Sequence, residues 1–416
     1  MRILFLSNFY PPIRAGGYAQ LCQEVAWNLQ QRGHVVNVLT SNYRQEQAPE
    51  GEQQVLRNLH LENNLLYYAP FDFFTKWKKN HAANLTYLKQ AIIDFEPDIL
   101  MVWGMWGLSL FLPSLGECLL SDRVVYYLAD YWPVAEDLHS AYWRLPARRW
   151  LMRLPKRLLG LIALAVLAKE GKPFLEFKHI LCVSAALKDN LIEKGLPIPH
   201  AQVVHNGIKV EEFHALARPS NFSNSNGHLK LIYAGQLVPH KGVHTAIEAI
   251  ASLINQWGMN QVTLTIIGVG HPSYESYLHT LVEREGLASY VTFREAVSRS
   301  QMPAVLHQFD ALVFPSIYEE PLARITQEAM ASGLVVIGTA TGGTKEILVD
   351  DENGLIFSPG DAEGLARAVA RIASNHDLRF RLANAGRRTV FERFTLERMV
   401  NEIEAYLIKV MEYSAG

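Results

Sequence analysis

The stretch Phe314-Pro-Ser-Ile-Tyr-Glu-Glu-Pro-Leu-Ala-Arg-Ile-Thr-Gln-Glu-Ala-Met-Ala-Ser-Gly333 decides the fold. The apolar run Ala311–Phe314 leading into it has the length and composition of a strand buried on both faces, and Pro315-Ser316 ends it. Glu319, Glu320 and Pro321 make a polar loop. Leu322 to Ser332 then reads as a helix stopped by Gly333, and Leu334 to Ile337 as a second buried strand. Strand, loop, helix and strand make half of a doubly wound sheet, where ligands bind outside the carboxyl ends of the strands. Glu320 and Glu328 lie eight residues apart, one at the helix mouth and one about two turns in. Carboxylates so placed accept hydrogen bonds from hydroxyls, while open N–H groups at the helix start face an anion. That suits a ligand with several hydroxyls and a diphosphate. Acids also occur in first turns because the helix dipole favours them, so the spacing alone leaves both readings open.

The chain has 416 residues, 49% hydrophobic and 19% charged, an ordinary globular composition long enough for two domains. A net charge of -2 argues against a dedicated nucleic-acid binder. Cys22, Cys118 and Cys182 are scattered with no CxxC pair, which fits a reducing compartment. The opening Met1–Leu6 is too short for a signal peptide and reads as a first buried strand. No stretch reaches the roughly 18 to 20 apolar residues of a membrane span. The expectation is a cytoplasmic protein, with peripheral contact at the inner membrane face as the one variant.

Outward from the opening stretch, both halves repeat its pattern. Ile3 to Leu6, the loop Ser7 to Gly17, a helix Tyr18 to Gln31 and Val35 to Leu39 form a βαβ unit with Gly16-Gly17 at the helix entry. Glycines there let the backbone approach a ligand and offer N–H groups to a phosphate. A helix (Phe74 to Phe95) and strands at Ile99–Val102, Val124–Leu128 and Ile180–Ser184 follow. Asp130, just past the strand Val124–Leu128, reads either as a sugar or acceptor contact or as a solvated strand-end carboxylate. Residues 144–156 carry Arg144, Arg148, Arg149, Arg153 and Lys156 among Leu145, Trp150, Leu151, Met152 and Leu154, ahead of the apolar run Leu158–Ala168. Such a segment lies on an anionic membrane surface, or is a surface helix followed by a buried one; the second reading is favoured here. Ala217 to His228 is polar and rich in Ser, Asn, Pro and Gly, a linker.

Beyond it Leu229–Ala234, the turn Gly235–Gly242 and a helix Val243–Ile254 restart the βα pattern, with Gln236 and Lys241 in the turn. Strands at Val262–Ile267 and Val291–Arg294, a turn at Asn353-Gly354, and helices at Asp361–Ser374 and Leu396–Glu412 complete the half. The expected domains are 1–208, 209–395 and a terminal helix, 396–416.

The E-x7-E pair followed by Ala-Met-Ala-Ser-Gly333 resembles the donor-site signature of retaining, family-4-type glycosyltransferases with the GT-B fold. Further motifs resemble the same family in the same order: Tyr10-Pro-Pro with Gly16-Gly17, Leu29 and Arg32-Gly-His34, then Lys241-Gly242, and Thr341-Gly-Gly-Thr-Lys-Glu346. The resemblance implies two Rossmann-like doubly wound domains facing a cleft, with the last helix crossing back to the first. It implies transfer of a sugar from a nucleotide-sugar, UDP- or GDP-linked by preference, to a hydroxyl of a carbohydrate, lipid-linked or small-molecule acceptor. Glu320 would hold the donor sugar's hydroxyls and Glu328 the ribose. Lys241, Gln236, the N–H groups of Leu322 and Ala323, and the Gly16-Gly17 loop would surround the diphosphate. Arg294 ends the strand after which the backbone reads the base. Glu320, Lys241 and Asp130 form the expected catalytic set. The chain departs from the family at Ala129, where a His reaching the donor sugar is usual, at Gln236, where Arg is usual, and at Ala323, often Gly. The twelve aspartates contain no Asp-x-Asp pair, so neither a metal nor another cofactor is expected. The alternatives are a nucleotide-sugar epimerase or hydrolase on this fold and a non-catalytic sugar-binding member.

Overall fold

The computed structural model describes residues 1–12, 16–44, 54–63, 68–147, 149–214 and 228–415. It divides into two units, Met1–Val204 with Val400–Gly416, and His205–Met399. The first holds a parallel sheet of β1 (Arg2–Leu6), β2 (Val35–Ser41), β3 (Val55–Leu59), β4 (Ile99–Val102), β5 (Val124–Leu128), β6 (His179–Cys182) and β7 (Gln202–Val203). Their order is β3-β2-β1-β4-β5-β6-β7. The second unit holds β8 (Leu229–Ala234), β9 (Val262–Ile267), β10 (Val291–Arg294), β11 (Ala311–Phe314), β12 (Val335–Gly338) and β13 (Leu355–Ile356). That sheet is also parallel, in the order β10-β9-β8-β11-β12-β13. In both, the chain winds outward one way and then the other. The crossovers separate at β1/β4 and at β8/β11, which opens a crevice at the carboxyl ends there. Every residue of β4, β5, β11 and β12 is buried, as the unbroken apolar runs require.

Helices cover the sheets through one apolar stripe each. The helix Gly17–Gln31 buries Leu21, Cys22, Val25 and Leu29, and Ala362–Ser374 buries Leu365, Ala366, Val369 and Ile372. The last helix, Leu396–Ala415, belongs to the first unit from Val400 onward. It buries Val400, Ile403, Leu407 and Val410, and Glu404 receives Arg32 at 2.6 Å and His34 at 2.7 Å.

Four expectations need correction. Strand β3 has no counterpart in the sequence reading: Arg57 and Asn58 break its apolar pattern. Yet Arg57 is buried, donating to the carbonyls of Tyr10 (3.1 Å) and Pro11 (2.5 Å). The helix expected from Phe74 begins as a short turn, Pro70–Asp72, and a π-helical turn, Phe73–Trp77, before the α-helix Lys78–Phe95. The helix expected from Leu322 starts at Arg324 and runs to Ala331. The run Leu158–Ala168 is not a buried helix. It lies in Arg153–Glu170, where only Gly160 and Ala163 are buried, because neighbours cover one side alone. Arg148 and residues 217–227 of the expected linker lie outside the described residues. Among the described residues, no helix is long and apolar enough to cross a membrane.

Candidate functional site

The crevice of the second unit collects most of the charged residues expected to act. After β8 the chain passes Gln236 and enters the turn Pro239–Lys241, which ends at Gly242. After β11 it passes Pro315 and Ser316 to Glu319-Glu320. The two loops are bound through their backbones, since the N–H groups of Ile317 (2.9 Å) and Tyr318 (3.1 Å) both donate to the His240 carbonyl. Gly242 makes the approach feasible. It adopts φ +68°, and a Cβ there would stand 1.9 Å from the Pro315 carbonyl oxygen. The close fit delivers the Lys241 ammonium to Glu320 Oε1, which also accepts from the Ser316 hydroxyl at 2.7 Å. The Glu320 side chain is buried and that of Lys241 nearly so. Behind Glu320 lies the Gly342-Gly343 turn, where Gly343 N–H donates to the Glu320 carbonyl at 2.7 Å. At Gly342, with φ +52°, a Cβ would meet that same carbonyl oxygen at 2.3 Å.

Glu328 lies in the helix Arg324–Ala331, and Arg299 Nη1 donates to its Oε1 at 2.5 Å with both side chains largely buried. Arg299 precedes the short helix Met302–Leu306 that follows β10, a position the sequence reading did not single out. A cation five residues past Arg294 was the available signal. Arg294 itself ends β10 with an exposed side chain, and its carbonyl accepts from Gly268 N–H at 3.3 Å. Gln236 is exposed, and its carbonyl accepts from the Tyr233 hydroxyl at 2.7 Å. Leu322 and Ala323 precede the helix, Ala323 as its N-cap with no side-chain cap bond. Leu322 is pinned by Asn206, whose amide donates to the Leu322 carbonyl (3.2 Å) and whose Oδ1 accepts from Gln327 (2.7 Å). These bonds hold the start of the helix in place.

In the first unit, Gly16 is the N-cap of the helix that begins at Gly17, with φ +95° and no side-chain cap bond. Asn8 joins the ends of β1 and β4: its N–H donates to Gly104 (2.7 Å) and its amide to Trp106 (2.8 Å). Asp130 follows β5, accepts the Trp132 N–H at 2.9 Å, and is pushed up to about 7, chiefly by burial. Tyr18 donates to the Tyr127 carbonyl, and burial together with the Asp130 charge raises its phenol well above the usual range. Tyr18 and Asn8 are members of this group that the sequence alone did not mark, whereas the half-exposed Trp106 lies in the segment Trp103–Gly107, where the sequence places acceptor-side residues. Ala129, at the place where His was expected, brings no polar side chain.

The second unit thus presents two buried carboxylates with one cation each at a helix start, a set able to bind hydroxyls and neutralise an oxyanion. The chain as a whole is similar to known proteins. The glycosyltransferase family 4 model matches residues 15–212 and the glycosyl transferases group 1 model residues 219–389. An uncharacterized glycosyltransferase of Methanocaldococcus jannaschii is 24% identical, the alignment covering 97% of this chain and 96% of that protein. A lipopolysaccharide core biosynthesis glycosyltransferase of Rhizobium meliloti is 35% identical over 42% of this chain and 47% of its own. Among solved structures, HepE of Anabaena in complex with UDP and glucose has a TM-score of 0.69 at 19% identity, covering 98% of this chain and 100% of that one. At that identity the likeness speaks for the fold.

Proposed function

We propose that this chain, which belongs to the family-4-type glycosyltransferases of GT-B fold, moves a hexosyl group from a nucleotide-sugar to an acceptor hydroxyl with retention of configuration. The observation that carries the reading is the pair of buried carboxylates, Glu320 and Glu328, each held by a cation at the β8/β11 switch point. Glu328 accepts hydrogen bonds from the ribose hydroxyls, and Glu320 from those of the donor sugar. A diphosphate arriving at the helix start takes the Lys241 ammonium from Glu320, which frees a carboxylate oxygen for the sugar. Backbone N–H groups from Leu322 and Ala323 into the first helical turn meet the same phosphates, and Gln236 adds neutral hydrogen bonds. Arg294 contributes through the backbone that follows it, on the base side. Arg299 is the second cation of the donor site and takes over part of the work of an arginine at position 236.

In the reaction the bond between the sugar's anomeric carbon and the phosphate oxygen breaks, and its electron pair goes to the nucleotide diphosphate. The acceptor oxygen bonds to the same carbon on the same face, and its proton passes to the departing phosphate oxygen. No enzymic base is needed. Lys241 and the helix start do their work late, as negative charge gathers on the leaving group. With no Asp-x-Asp clamp in the sequence, these groups take the place of a metal, and neither a metal nor another cofactor is required. UDP is the first nucleotide to try, since HepE, alike in fold, was crystallised with UDP and with UDP-glucose. The acceptor is a carbohydrate, lipid-linked or small-molecule hydroxyl, with Asp130 and Tyr18 of the first unit as its contacts.

The test is calorimetric titration with UDP, GDP and ADP, in chelator and in magnesium, followed by assay with the matching nucleotide-sugars. Saturable binding of one nucleotide in chelator that Lys241→Ala removes is the expected result. Absence of binding to all three refutes the donor site.

A further inference from the structure

The helix Arg153–Glu170 does not pack on the sheet of its unit. It lies against the helix Leu138–Arg144, close enough that a Cβ on Gly160 would be 3.0 Å from the Trp143 carbonyl oxygen. Phe73, Trp77, Trp143 and Ala163 form a small core there. The far side of the helix and the turn before it are apolar and uncovered: Trp150, Leu151, Leu154, Leu158, Leu161 and Ile162 are 55 to 74% exposed. A contiguous patch of this kind marks a surface that meets another apolar phase.

Charge says which phase. Of the 39 basic and 41 acidic residues, eight and one fall within residues 144–172, which leaves 31 and 40 elsewhere. A chain of net charge -2 therefore keeps a strongly cationic segment around its most exposed leucines. The cations gather toward both ends of the helix, with Arg149, Arg153 and Arg157 interleaved with Trp150, Leu151 and Leu154 around its start and Lys169 and Lys172 at its close. Two copies paired through this face would bring cation against cation in either direction, so self-association is disfavoured. A surface of anionic headgroups over acyl chains matches both features at once: leucines enter the boundary, Trp150 sits at the level of the headgroups, and the cations meet phosphate.

We propose that residues 144–172 are a peripheral membrane-docking element, on which the helix Arg153–Glu170 lies flat against a bilayer rich in anionic phospholipid. At 18 residues it spans about 27 Å along the surface. The proposal stands independently of the sugar chemistry, because none of its residues belongs to the donor site.

The experiment is flotation of the full chain with vesicles of pure phosphatidylcholine and of phosphatidylcholine with about one third phosphatidylglycerol. The expected result is binding on the order of a hundredfold tighter to the anionic vesicles, weakened about tenfold in high salt. The triple variant Leu154→Ser, Leu158→Ser, Leu161→Ser and the triple variant Arg149→Glu, Arg153→Glu, Arg157→Glu should each abolish it with an unchanged thermal midpoint. Equal partition onto both vesicles overturns the proposal, as does no binding by the native protein. So does a concentration-dependent dimer in sedimentation velocity that the leucine variant dissolves.

Discussion

At the carboxyl ends of β8 and β11, Glu320 and Glu328 each meet a cation, Lys241 and Arg299, and both pairs are largely buried. At the carboxyl ends of β1, β4 and β5, the same winding in the other sheet carries a different set of side chains. There Asn8, Tyr18 and Asp130 bond mainly to backbone, and Asp130 is pushed toward neutrality by burial. One crevice pairs buried carboxylates with cations, while the other gathers neutral hydrogen-bonding side chains and one carboxyl pushed toward neutrality. The difference teaches that strand order fixes where a ligand sits, while the residues two to six positions past the strand ends decide what kind of ligand it is.

The comparison can be broken first at Lys241. In Lys241→Ala the diphosphate loses a charge-assisted partner, and nucleotide affinity should fall on the order of a hundredfold by calorimetry. A loss of less than a few-fold would remove the charge-exchange role from this crevice. Gly242→Ala attacks the same loop through its backbone. Left-handed φ and overlap with the Pro315 carbonyl together should cost roughly 2 to 4 kcal/mol in denaturant unfolding. An unchanged midpoint would show that the two loops do not need their close approach.

Arg299→Gln should weaken nucleotide binding by about tenfold, because Glu328 loses its charged partner while keeping a neutral donor. Arg294→Ala, with its exposed side chain, should change affinity by less than about twofold. If Arg294 proves the more sensitive, the assignment of the second cation is reversed.

The first unit's crevice predicts a pH effect of smaller size. A carboxyl whose folded pKa is raised holds its proton more tightly when folded than when unfolded. Asp130 thus contributes fully at acid pH, and that contribution is lost as pH climbs from about 4 through about 7. Asp130→Asn keeps an acceptor for the Trp132 N–H and removes the titration. Its stability relative to the native chain should improve between pH 5 and pH 8 by about 1 kcal/mol, discounted for partial exposure. A flat difference across that range would mean that Asp130 is ionised without penalty.

The parts of the molecule that the sequence disclosed share a physical trait: they are written in residues whose neighbours are close in the chain. Buried parallel strands show as apolar runs, which is why β4, β5, β11 and β12 fall where the runs are. Glu320 and Glu328 sit on one loop and one helix, so their spacing was visible. Arg299 was not, because its partner is 29 positions away and its one local mark, a place five residues past Arg294, does not say which carboxylate it will reach. Strand β3 escaped for a related reason: its Arg57 looks like a surface residue until the carbonyls of Tyr10 and Pro11 are seen to receive it. The helix start at Arg324 rather than Leu322 reflects Asn206, a residue more than a hundred positions away that pins the preceding carbonyl. Apolarity misled only at Leu158–Ala168, where a run that reads as core has a core on one side alone.

That last segment has a practical consequence on the bench. Residues 144–172 hold eight cations and one acid in a chain whose net charge is -2, so this segment is a local patch opposite in sign to the whole. At neutral pH and low ionic strength it should be retained on a cation-exchange column despite its net negative charge, gripping the resin by this one face. It should elute as salt shortens the Debye length to below about 10 Å, before any change in its fold.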